Sequence, residues 1–151
     1  MVFKSENELK KFLLQKCQIA VAQTQNKIYA IIKKVLVEFY QDYDPILYER
    51  TNQLLHSLVK SNVRQVGNGY EAEVYFDLDS INYATGNMPT GKQVMAAASQ
   101  GLHGAIGSNL LYRQGNSGID VWNTPVQEID ARAIDMLVRE LKAQGIPVKR
   151  G

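Results

Sequence analysis

The residues able to do chemistry are few: two histidines, one cysteine, and serines and carboxylates without an obvious partner. His56 and His103 stand 47 positions apart, outside any spacing that would set two imidazoles on one helix face. With a single cysteine, Cys17, the four ligands of a structural metal site are not in view. Cys17 sits in a helical stretch, where a thiol packs as a small apolar group, and nothing near it would stabilise a thiolate. Ser108 follows Gly107 but lacks the flanking pattern of a nucleophile elbow. Asp77 and Asp79 bracket Leu78, and two close carboxylates can hold a divalent cation, yet aspartates that end a strand usually form a solvated turn. Gly91-Lys92 has neither the preceding glycine nor the following hydroxyl of a phosphate loop, and no glycine triplet follows a strand. The expectation is no catalytic residue, no metal and no cofactor.

The elements that would carry these residues are better marked. Ser5 and Glu8 form a capping-box pattern, and apolar residues recur at steps of three and four from Leu9 to Phe39. This predicts one long helix over 6–41, about 50 Å in length at 1.5 Å per residue. The stripe is weakest between Gln15 and Lys27, where a bend or break is expected. Its apolar side has two readings, as intramolecular core or as a surface for a neighbouring copy, because such a helix overhangs a domain of this size. Asp44-Pro45 ends it. A second helix is expected over 48–60, with Leu54, Leu55, Leu58 and Val59 inward, then a hairpin over 63–78 turning at Gly67, Asn68 and Gly69. On the return strand Tyr70, Ala72, Val74 and Phe76 share one face.

Thr90 caps a short helix from Gly91 to about Gln100. Five glycines between 101 and 118 mark a mobile or partner-ordered loop, and Ile119 to Trp122 reads as a short strand. A last helix is expected over 125–144, capped by Thr124 with Gln127, opened by Pro125 and stopped by Gly145, with Val126, Ile129, Ala133, Ile134, Leu137, Val138 and Leu141 on its apolar, inward side. Glu128–Arg132 and Asp135–Arg139 are favourable pairs along it, and Ile146 to Lys149 would add an edge strand. Helices on a small, mainly antiparallel sheet give the α+β class in a single domain, 1–151.

Composition narrows the function classes. Hydrophobic residues are 45% and charged residues 21% of 151, which excludes a disordered or fibrous chain. A net charge of +2 gives little reason to expect nucleic acid or an anionic membrane as partner. Lys33, Lys34, Lys142, Lys149 and Arg150 read as solvated faces and a charged tail. No signal peptide or membrane-length apolar run is apparent, so folding in a reducing bacterial cytoplasm is expected.

The string Tyr-Asp-Pro-Ile-Leu-Tyr-Glu-Arg-Thr-Asn-Gln-Leu-Leu, Tyr43 to Leu55, resembles proteins of phages and prophages of Gram-positive bacteria. In that group a long N-terminal helix precedes Tyr-x-Pro-x-x-Tyr-x-Arg-Thr-x-x-Leu-Leu. His103-Gly104, the glycine-rich stretch, Trp122 and a last helix ending in Leu-Lys-x-x-Gly-Ile-Pro, Leu141 to Pro147, are similar to the same group, so the resemblance runs from about residue 6 to 149. A departure is the long, polar insertion between Gly104 and Gly118.

The group comprises morphogenesis proteins of tailed phages: minor capsid, head–tail joining, neck, tail-completion and tail-terminator components. The resemblance implies a virion structural protein, not an enzyme, that forms a closed homo-oligomeric ring, often sixfold, against adjoining neck, connector or tail-tube proteins. Tyr48, Arg50 and Thr51 match its Tyr-x-Arg-Thr string. Thr51 would cap the second helix and Arg50 would bind a carbonyl or carboxylate. These three, with His103, Tyr112 and Trp122, are the candidate interaction residues. If the ring surrounds a DNA channel, Asp77 and Asp79 would line it without holding the genome. The competing reading is a small phage-encoded protein that binds and inhibits a host protein. An enzyme would return to view if His103 lay beside Asp77 or Asp79 in a closed pocket.

Overall fold

A computed structural model describes residues 2–42, 52–82, 89–102 and 118–148. The first element, α1, runs unbroken from Glu6 to Gln41, about 54 Å. Ser5 caps it by accepting from the Glu8 amide, while the Glu8 carboxylate accepts from the Lys4 amide at 2.7 Å, one residue before the position a capping box uses. The expected break between Gln15 and Lys27 is absent. Thr24 and Gln25 are buried there, and both polar groups are matched. The Thr24 hydroxyl donates to the Ala20 carbonyl at 2.9 Å, and the Gln25 amide donates to the Ser61 and Glu73 carbonyls at 2.8 and 2.9 Å.

The expected helix over 48–60 is corrected in its second half, and its first half, 48–51, lies outside the described residues. Only α2, Gln53–His56, is helical, with Asn52 in the left-handed region before it at φ 53°. Leu58–Lys60 forms strand β1, which pairs antiparallel with β4, Val74–Phe76, in the register Leu58 with Phe76 and Lys60 with Val74. The Leu54–Leu55–Leu58–Val59 spacing suits a helix, but long-range pairing overrides it: the ladder carries Leu58 into the core while Val59 stands half-buried.

The hairpin is present as β2, Arg64–Val66, and β3, Gly69–Glu71. Its two-residue turn is Gly67-Asn68, not Asn68-Gly69. Gly67 takes φ 57° at the first central position, where a type II′ turn favours glycine. The expected alternation survives in burial from Ala72 on, with Ala72, Val74 and Phe76 half-buried and Glu73, Tyr75 and Asp77 exposed, while in β3 Tyr70 and Glu71 are both half-buried. The return strand, however, divides between two partners: β3 pairs with β2, and β4 with β1. The result is two small antiparallel sheets on one side of α1, and the class is α+β.

A 3-10 turn, Leu78–Ser80, leads on to α3, Gly91–Ala98, where the expected cap at Thr90 is made as a capping box with Gln93. Gly91 lies so close to the turn that a Cβ there would stand 2.0 Å from the Leu78 carbonyl oxygen. The expected strand at Ile119 to Trp122 is not formed. Val121 is fully buried as a core plug, and its neighbours make a turn.

The last helix, α4, spans Asn123–Ala143 and starts two residues earlier than expected. Its opening amides are met by Asp120, not Thr124: the Asp120 carboxylate accepts from the Trp122 and Asn123 amides at 2.9 and 2.8 Å. Pro125 therefore sits third in the helix, fully buried, where a missing N–H leaves no bond unmade. At the other end Gly145, at φ 82°, closes a Schellman motif. Its amide donates to the Lys142 carbonyl, and the Ile146 amide donates to that of Leu141. Residues 146–148 form no strand, and Lys149 lies outside the described residues.

The core gathers Leu36, Phe39, Leu54, Leu58, Ile81, Ala98 and Val121. It sits around the C-terminal half of α1. Helix α4 packs against α1 in the opposite direction, since Val121 at its start joins Leu36 and Phe39 while Glu140 near its end pairs with Lys27.

Candidate interaction surfaces

Of the six residues singled out for interaction, Tyr48, Arg50, Thr51, His103 and Tyr112 lie outside the described residues, as does most of the glycine-rich loop 101–118. Trp122 is placed. It stands at the start of α4 with 49% of its surface exposed and its ring 6.2 Å from that of Phe76, so it is part wall and part surface. His56 is exposed at the end of α2. Asp77 and Asp79 are exposed on either side of Leu78. Among the described residues no group of three or more metal-ligating side chains forms, and no helix is long and apolar enough to cross a membrane.

Sequence reasoning missed the part played by Asp120. Burial opposes its ionisation, but hydrogen bonds from the backbone and side-chain amides of Asn123 and the backbone amide of Trp122 outweigh burial and hold the carboxyl below its ordinary range. The signal was available in the Asp-x-x-Asn spacing, which competes with Thr-x-x-Gln for the same helix start.

The surface is most distinctive along the helices. On α1, steps of four and seven run Leu9, Leu13, Ala20, Thr24, Ile31 and Val35 down one row. Ala20, Thr24 and Val35 are buried, but Leu9 and Leu13 are each 38% exposed. The reason is length: α4 ends within about one turn of the Lys27–Glu140 contact and does not extend beside the first turns of α1. A second apolar position is on α4 itself. Ile134, expected inward, is 62% exposed, with half-buried Val138 one turn further on. The most deeply buried positions on α4 are Pro125 and Met136, and Val126, Ile129, Ala133, Leu137 and Leu141 are half-buried beside them. The expected Glu128–Arg132 pair forms on its solvated side.

A family model described as YomN matches residues 5–143, nearly the whole chain. The name is a phage-derived, SPbeta-like one and suggests a phage protein. No curated protein and no solved structure matches the chain.

Proposed function

The chain belongs to the YomN family, and on that footing we propose that it is a virion structural protein of a tailed phage, one that assembles with copies of itself into a ring at the head–tail junction or the proximal end of the tail. The observation that carries this reading is the overhang of α1. A helix of about 54 Å keeps its apolar row going to Leu9 and Leu13, beyond the end of the helix that lies beside it. A cyclic ring is built from heterologous contacts and so needs two different patches on each subunit. Leu9–Leu13 on α1 and Ile134–Val138 on α4 are two such patches on separate elements. The partners on this reading are other copies and the adjoining neck, connector or tail-tube proteins, and the protein resides in the virion.

The test is the mass and appearance of the purified protein, alone and mixed with the neck and tail proteins of its phage. Closed oligomers in negative-stain images are expected. A strict monomer at every concentration, with every virion partner present, overturns the reading.

A further inference from the structure

The hairpin β2–β3 lies over the first half of α1 and leaves a cleft of about 450 Å³ lined by Asn7, Lys10, Lys11, Leu14, Gln15, Gln18, Gln65 and Tyr70. Gln65 and Tyr70 are directly opposed in the hairpin register, so they share the sheet face that looks onto the helix. We propose that this cleft binds an extended acidic peptide segment of a partner protein, and this stands whether or not the chain closes into a ring.

Three observations support that occupant. The first is charge. Lys10 and Lys11 are exposed, and among the described residues neither ammonium meets a carboxylate. Glu6, one turn from Lys10, is not paired with it, and the neighbouring Arg64 is engaged by Glu71. Two unmatched cations on one wall call for an anionic ligand.

The second is the chemistry of the lining. Asn7, Gln15, Gln18 and Gln65 each offer an amide that both donates and accepts, and Tyr70 adds a hydroxyl that does the same. A peptide main chain presents N–H and C=O groups in turn and can satisfy both. A phosphate backbone only accepts, so it would use the donors of these side chains and leave their acceptors to water. The third is length. From Asn7 to Gln18 the helix rises about 16 Å, which is the span of about five residues of extended chain.

The experiment uses the full chain and three fluorescein-labelled probes in anisotropy titrations: an octapeptide alternating Glu and Ser, its Gln and Ser counterpart, and an octamer of deoxythymidylate. Wild type is expected to bind the acidic peptide more tightly than either other probe. Lys10→Ala with Lys11→Ala should weaken acidic-peptide binding about tenfold, as two charge-assisted contacts would. Gln65→Ala should weaken the acidic and neutral peptides by a similar factor, because it removes a contact to the main chain. All three side chains are exposed, and an unchanged circular dichroism melt confirms that the variants fold. Absence of acidic-peptide binding overturns the proposal. So does oligonucleotide binding equal to or tighter than the peptide's, which would mark a general polyanion surface, and so does lysine-variant binding equal to wild type.

Discussion

The two halves of α1 carry the same apolar row and meet different company. From Ala20 to Phe39 the helix has α4 on one side and β1, β4 and α2 on another, and Leu36 is fully buried among them. From Glu6 to Ile19 it has the β2–β3 hairpin on one side, and Leu9 and Leu13 stay partly in solvent. The difference teaches that periodicity marks a face as one to be covered without saying what covers it. One leucine in each half separates the two environments. Leu36→Ala should lower stability by about 3 kcal/mol, through lost apolar burial and the cavity left behind. Leu13→Ala should lower it by about 1 kcal/mol, since more than a third of that residue already meets water. In sedimentation the order reverses: Leu13→Ala should weaken self-association, while Leu36→Ala oligomerises normally at temperatures where it is folded. Equal losses in both melts would mean that the two halves are not covered differently.

The C-terminal half is also closed at its far end by backbone in close approach. Gly91→Ala would drive a Cβ into the Leu78 carbonyl, which is main chain and has no rotamer to yield. A loss of about 2–3 kcal/mol in chemical denaturation is expected from such overpacking. At the junction of the halves, Gln25→Leu should cost about 2 kcal/mol. It roughly keeps the volume but leaves the Ser61 carbonyl without its side-chain donor and the Glu73 carbonyl with the Ser61 amide alone. Hydrogen exchange at the β2–β3 amides should quicken in this variant more than at β1–β4, because Gln25 ties the base of the hairpin to the helix.

Much of this architecture was legible in residue spacing. The long helix, the hairpin, the Thr90 cap and the Gly145 stop rest on local signals within a few residues of one another, and local signals suffice where backbone groups are satisfied locally. The errors fall where a distant partner decides. Leu58–Lys60 is a strand because Val74–Phe76 lies beside it, and neither segment announces the other. The polar stretch at Thr24–Gln25 reads as a weak point until two carbonyls 36 and 48 residues away turn it into an anchor. Ile134 fits the inward pattern of α4 yet faces out, since a helix of 21 residues has more apolar positions than the side of α1 can cover. The interaction surface was legible only in outline. An overhanging helix could be expected from its length, but Lys10 and Lys11 acquire meaning from the hairpin folded above them.

The mildest test bears on how α4 is set against the C-terminal half of α1. Asp120 places a carboxylate at the start of α4, where amide donors and the positive end of the helix dipole converge. Asn at this position keeps an oxygen for the Trp122 and Asn123 backbone amides but loses the charge and the second oxygen that accepts from the Asn123 side chain. Asp120→Asn should therefore cost about 1 kcal/mol at neutral pH. Because the folded carboxyl is held below its ordinary range, its stabilisation is fully present above the unfolded value of about 4 and is lost as pH falls through the lower, folded value. Thermal melts of wild type and Asp120→Asn should thus differ at pH 7, draw together below about pH 4, and converge in more strongly acidic solution. A gap that persists unchanged into acid would show that the aspartate works through shape alone, with its charge contributing nothing to the seating of α4.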